Sequence, residues 1–129
     1  MKRMMFVCKH NSRRSHMAEG FARHLGYSAV DSAGLEASQV DPLTVQVMAE
    51  VGVDISEQRS QALSDFDPQA FDVVISLCGC GVNLPPEWVS REIFQDWQLD
   101  DPAGTSLETF RRVRDEVQAQ VELLLNVLE

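Results

Sequence analysis

The chain sets Cys8, Arg14 and Ser15 in one short run, CKHNSRRS, and crowds Lys9, His10, Arg13 and Arg14 around the cysteine. The whole chain carries a formal net charge of −9, so this cluster of cations runs against the overall balance. A turn that merely joins two elements has no use for it, whereas a loop that holds an anion does. A loop passing from strand into helix turns successive backbone N–H groups inward, at the positive end of the helix dipole. The segment Lys9, His10, Asn11, Ser12, Arg13, Arg14 and Ser15 would then cradle a tetrahedral oxyanion over the Cys8 thiol. Arg14 can chelate two oxygens of that anion with its planar fork. The same field favours the thiolate, which is the nucleophilic form of cysteine. Asn11 is among the few residues other than glycine that tolerate a left-handed turn, and Ser15 offers a hydroxyl to the sulfur. A lone buried cysteine is more commonly a small core residue. The setting of Cys8 after a strand, before a helix and among cations argues against that use.

Three further residues can do chemistry, namely Cys78, Cys80 and Asp101. Their placement follows from the elements around them. Met4 to Val7 form a short apolar run that ends at Cys8 and reads as a buried strand over residues 3–7. Met17, Phe21 and Leu25 recur at a spacing of four, which predicts a helix closed by Gly26. Residues 28–32 read as a second strand, ended by Ala33 and Gly34. Asp41 with Pro42 behind it predicts the start of a helix that stops at Gly52. The β-branched run at 71–77 is the clearest strand, and 92–97 is a weaker one. Thr105 with Glu108 reads as a capping box for a last helix whose apolar stripe runs from Leu107 to Leu128.

Strands alternating with helices imply an α/β fold, a parallel sheet with helices on both faces, in a single domain over residues 1–129. In such sheets ligands bind beyond the carboxyl ends of the strands. Cys8 ends the first strand, Cys78 and Cys80 follow the third, and Asp101 follows the fourth, so one sheet edge collects them all.

Composition narrows the function. Twenty acidic residues against 11 Lys and Arg leave no basic face for nucleic acid. No run approaches the roughly 18 apolar residues of a membrane span, and the N-terminal MKRMMFV lacks the features of a signal peptide. A cytoplasmic chain with reduced thiols is expected, in which cysteines serve redox chemistry or catalysis. Dinucleotide and P-loop glycine signatures are absent. Cys8, His10, Cys78 and Cys80 could satisfy a zinc ion, but one Cys-x-Cys lacks the paired spacing of structural zinc, so no metal is expected. His16 and His24 fall on the first helix and read as surface residues, and Trp88 and Trp97 read as packing residues.

CKHNSRRS resembles the catalytic loop of the low-molecular-weight protein tyrosine phosphatases and of the arsenate reductases that share their fold. MAEGFA, SAGLE, VGVDIS, FDVVISLCGCGVNLPPEW and DWQLDDPAG extend the resemblance to the reductases along nearly the whole chain. The CGCGVNLPPEW run is the most specific and resembles the glutathione/glutaredoxin-coupled subclass associated with cyanobacteria. The resemblance implies a four-stranded parallel sheet in the order 2-1-3-4. It also implies Cys8 as nucleophile, Arg14 as oxyanion ligand, Asp101 as general acid, and Asn11 and Ser15 as the residues that shape the loop.

The expected activity is therefore reduction of arsenate to arsenite through a thiol–disulfide cascade, for arsenic detoxification. Arsenate is the substrate, and phosphate or sulfate would mimic it. Glutathione is the reductant, glutaredoxin the expected partner and thioredoxin the second candidate, with no tightly bound cofactor. A phosphomonoester hydrolase of the tyrosine phosphatase type is the alternative, and a weak phosphatase side activity is compatible with reduction. Two features favour reduction. Hydrolysis has no need of Cys78 and Cys80, and the family's phosphatases resemble one another in an aromatic pair after Asp-Pro, where this chain has Ala103 and Gly104. The thioredoxin-coupled reductases resemble this chain less at Arg13, where they carry a further cysteine, and their resolving cysteines lie farther apart. The residues leave open whether Cys78 or Cys80 reacts first, and the resemblance favours Cys78.

Overall fold

Phe6 and Met5, adjacent in the chain, point into two different cores, and this alternation organises the molecule. The structure is a computed structural model that describes residues 1–78 and 84–128. The elements run β1 (Met4–Cys8), α1 (Arg14–His24), β2 (Val30–Gly34), α2 (Pro42–Ala49), β3 (Val73–Ser76), α3 (Pro86–Val89), β4 (Ile93–Asp96) and α4 (Leu107–Leu128). Two single 3₁₀ turns, Leu63–Asp65 and Pro68–Ala70, precede β3. All strand pairs are parallel, in the order β2-β1-β3-β4.

Every residue of β1 and β3 is buried, as parallel strands covered on both faces require. On one face Met4, Phe6, Val73 and Ile75 pack with Met17 and Phe21 of α1, Val47 and Met48 of α2, and the stripe of α4. On the other, Met5, Val7 and Val74 meet Leu63, Phe71 and Trp88, so a one-turn helix and the 3₁₀ turns cover that side. Phe71 and Trp88 lie 5.6 Å apart, and the Arg3 guanidinium stacks on Phe71 at 4.5 Å.

Asp41 caps α2 as its spacing predicts, accepting from the Leu43 N–H at 2.8 Å with Pro42 in the first turn. Three local expectations are corrected. β2 does not end before Ala33 and Gly34; both belong to it, paired with Val7 and Cys8 of β1. Small residues there permit close approach and do not end the strand. Leu25 leaves the α1 stripe and is exposed, because the helix ends at His24 and Gly26 turns the chain away at φ +93°. Thr105 does not cap α4, since its hydroxyl donates to the Pro102 carbonyl of the preceding turn. Ser106 takes the cap position and accepts from the Thr109 N–H at 3.4 Å.

Gly34 carries the tightest constraint on the sheet edge. A Cβ there would lie 2.6 Å from the Asn11 nitrogen, 2.7 Å from the His10 carbonyl carbon and 2.5 Å from the Glu36 oxygen, all backbone atoms. Gly34→Ala must displace the loop after β1. It should lower unfolding stability by about 1–3 kcal/mol in a denaturant titration, the usual cost of overpacking. An unchanged midpoint would show that the loop yields freely.

Candidate active site

The loop after β1 is held by one buried amide. Asn11 adopts φ +49° and has no exposed surface. Its side-chain oxygen accepts from the Gln61 N–H at 2.7 Å, which fixes the orientation of the amide. Its nitrogen donates to Ser15 at 2.7 Å and to Ser32 at 3.0 Å. The Ser15 oxygen lies 2.9 Å from the Cys8 sulfur. Because that oxygen already accepts from Asn11, its own proton is free to point at the sulfur, the arrangement a thiolate accepts. Among the described residues, no protein acceptor takes the backbone N–H groups of residues 10–14.

The helix that follows needs an anion. Its cap position is Arg13, which provides no side-chain cap, and its first turn has no acidic residue. Arg14 is buried; one terminal nitrogen donates to the carbonyls of Leu77 at 3.2 Å and Leu99 at 2.9 Å, and its Nε has no partner. A buried guanidinium with an unpaired N–H beside free backbone donors suits a tetrahedral oxyanion.

Asp101 approaches from the segment beyond β4, with one oxygen 3.7 Å from Arg14 and the other 3.8 Å from Arg13. The Ala103 N–H donates to it at 3.0 Å. Cys78 lies two residues beyond β3 and bridges Gln98. The Val7–Ser76 register of β1 and β3 brings the chain around Cys78 to the sheet edge that Cys8 ends. Cys8 is a free thiol and Cys78 is disulfide-bonded, so that bond does not involve Cys8. Cys80 lies outside the described residues. Lys9 is exposed and His10 half-buried at the rim, while Ser12 is buried and accepts from Arg13 at 3.2 Å. No cluster of three or more His, Cys, Asp or Glu suited to a metal occurs among the described residues, and none of their helices is long and apolar enough to cross a membrane.

Residues 3–129 match the family model of the low molecular weight phosphotyrosine protein phosphatases. The chain belongs to this family. It is 61% identical over 127 residues to the glutaredoxin arsenate reductase of Synechocystis sp., covering 97% of each chain. It is 40% identical to an arsenate reductase of Staphylococcus epidermidis, covering 94% of this chain and 93% of that one. Among solved structures, an arsenate reductase in the phosphate binding state superposes with a TM-score of 0.94 at 59% identity over the full length of both chains. A low molecular weight protein tyrosine phosphatase from T. tengcongensis superposes at 0.83 and 28% identity, over 98% of this chain and 99% of that one. The four-stranded order expected from the resemblance is the order found.

Within this phosphatase-family fold the residues supporting the loop were not singled out from sequence. Ser32 accepts from Asn11 and donates to Glu19 at 2.5 Å, and Glu19 pairs with Arg23 at 3.0 Å. Burial pushes the Glu19 carboxyl up, against pulls from Ser32 and Arg23. Gln61 is also new. These partners come from three separate segments, so no single local spacing could reveal them.

His16 corrects a further expectation. It does not face solvent but is fully buried, with Gln58 donating to its Nδ1 at 2.8 Å and to its carbonyl at 3.1 Å. The neutral ring therefore carries its proton on Nε2, which has no partner. Burial pushes its pKa from 6.5 to about 4, with the Asn11 backbone opposing. In this window the unfolded chain binds the proton and the folded chain does not. Stability present above pH 6.5 is therefore lost as pH falls towards about 4, by on the order of 3 kcal/mol. Denaturant titrations of His16→Gln should show a shallower loss of stability between pH 6.5 and about 4 than those of the unmodified chain. Identical slopes for the two proteins over that range would show that His16 protonates freely in the fold.

Proposed function

We propose that this chain reduces arsenate to arsenite, with electrons supplied by glutathione through glutaredoxin. What carries the reading is a free Cys8 thiol in an anion-receptive loop and a disulfide-bonded Cys78 on the neighbouring strand's edge. The high identity to a glutaredoxin arsenate reductase supports it.

Arsenate enters the loop as a tetrahedral anion, held by backbone N–H groups and by Arg14. The Cys8 thiolate bonds to arsenic, and the displaced oxygen takes a proton from Asp101 and leaves as water. Cys78 then attacks the Cys8 sulfur. The electron pair of the sulfur–arsenic bond stays with arsenic, which leaves as arsenite. Two thiols have become one Cys8–Cys78 disulfide, which balances the two electrons gained by arsenic. Cys80 attacks Cys78, frees Cys8 and leaves the disulfide on the pair, away from the anion loop. Two molecules of glutathione return the electrons with glutaredoxin as catalyst, and thioredoxin is the competing donor.

Arsenite production with glutathione plus glutaredoxin should exceed that with thioredoxin, and both should exceed hydrolysis of an aryl phosphate. Asp101→Asn should slow arsenate-dependent loss of thiols by roughly 10²- to 10⁴-fold, the scale of a positioned general acid. Arg14→Lys should abolish turnover, because lysine keeps the charge but loses the fork. Cys78→Ser should lose arsenite turnover and keep any phosphatase activity. Many arsenite turnovers by Cys78→Ser would defeat the cascade, and efficient phosphate hydrolysis without arsenite would favour a phosphatase.

A further inference from the structure

A cleft of about 330 Å³ opens beside the anion loop, between His10, Ser12 and Arg13 on one wall and Ser38, Gln39 and Asp41 on the other. Its size is that of a small-molecule site. The walls are tied together. Asp41 donates its N–H to the Ser12 carbonyl at 3.1 Å, and Ser38 donates its N–H to Ser60, whose hydroxyl donates to the His10 carbonyl at 3.2 Å.

The cleft also holds uncommitted donors. Arg13 gives its Nε to Asp41 at 2.8 Å and one terminal nitrogen to Ser12 at 3.2 Å, while no acceptor among the described residues takes the other. The His10 ring stands 3.9 Å from Glu36 without a hydrogen bond, and the Ser38 hydroxyl and Gln39 amide have no partner among the described residues. Other surface hollows differ. The one bordered by Glu19, Asp31, Asp54 and Glu57 sets four carboxylates against the two guanidiniums of Arg23 and Arg59, so it is net acidic. On α4 the guanidiniums of Arg111 and Arg112 are already paired with Glu50, Asp100 and Glu116. The hollow around Leu25, Leu125 and Leu128 is apolar.

We propose that the cleft beside the anion loop binds glutathione and directs its thiol to the cysteines at the sheet edge, a proposal that rests on the glutathione-coupled function above. Glutathione carries two carboxylates and one ammonium group, so it approaches a chain of net charge −9 as an anion. Lys9, His10 and Arg13 form a basic rim on its path. The open nitrogen of Arg13 suits a carboxylate, Ser38 and Gln39 suit the peptide groups, and the lone pairs left on Asp41 suit the ammonium. Arg13 also stands 3.8 Å from Asp101, so it belongs to the wall of the arsenate site as well. A glutathione thiolate attacks the Cys78 disulfide, forms a mixed disulfide and releases the other protein sulfur as a thiolate. A second glutathione attacks the mixed disulfide, giving oxidised glutathione and a second protein thiol. Two glutathione thiols thus supply the two electrons.

Amide NMR of the full chain titrated with S-methylglutathione, which cannot exchange, tests the site. Saturable shifts are expected at His10, Ser38, Gln39 and Val40. The dimethyl ester should bind about tenfold or more weakly, because it loses the charge-assisted hydrogen bonds. In the coupled assay Ser38→Trp, which fills the cleft, should raise the glutathione concentration for half-maximal turnover about tenfold or more. Arsenite released in the first turnover of the reduced chain, which needs no glutathione, should not change. Shifts elsewhere or none at all, equal binding of the ester, or an unaltered glutathione dependence in Ser38→Trp would each overturn the cleft. A first turnover that yields arsenite alongside any of these condemns the cleft alone, whereas no arsenite from the unmodified chain condemns the function on which it rests.

Discussion

Asn11 joins three segments through one side chain, and the anion loop takes its form from that junction. A residue with a Cβ loses roughly 1–2 kcal/mol in the left-handed region. The three hydrogen bonds of the buried Asn11 amide, at about 1 kcal/mol each, offset that loss. Once Asn11 is fixed, its amide occupies one lone pair of the Ser15 oxygen, and the Ser15 proton is free to point at Cys8. The close approach of the Asn11 backbone to β2 then leaves no room for a Cβ at position 34. The thiol, its hydroxyl partner and the neighbouring strand are consequences of one amide.

The charge pattern follows from the same geometry. A helix that begins with two arginines and no acidic residue opposes its own dipole. Such a start is tolerable where an external anion completes it. Arg14 is anchored from behind by the Leu77 and Leu99 carbonyls, so its fork is oriented before any anion arrives. Arg13 is turned aside by Asp41 and joins the second wall of the site. Of two adjacent arginines, one is therefore held by carbonyls beyond β3 and β4 and the other by the carboxylate that caps α2.

Much of this was legible in the sequence because it is local. The β-branched run before Cys78, the Asp41–Pro42 start of α2 and the stripe of α4 each signal themselves within a few residues. Cys8, Arg14 and Asp101 could be placed at one edge because strand ends of a parallel sheet meet there. Contacts between distant segments stayed hidden. Ser32, Glu19 and Gln61 reach the loop from three separate places, and His16 is buried by Gln58, 42 residues away. Gly34 looked like the end of a strand because glycine disrupts strands in isolation. In the fold its missing side chain is what admits the loop.

Hydrolysis and reduction make different demands on this scaffold. A phosphoryl group bound to a cysteine is released by water, with no net change in oxidation state. Arsenic that accepts two electrons leaves the nucleophile oxidised, so each turnover requires another sulfur within reach. Nothing in the loop after β1 can meet that requirement, since its only cysteine is Cys8, the residue proposed to bond arsenic. The neighbouring strand can, because parallel pairing of β1 with β3 carries the Cys78 segment to the same edge. The choice between the two chemistries is therefore made at the end of β3, outside the residues that recognise the anion. A loop that receives phosphate and arsenate alike can serve a reductase without alteration, provided that the adjacent strand delivers a thiol.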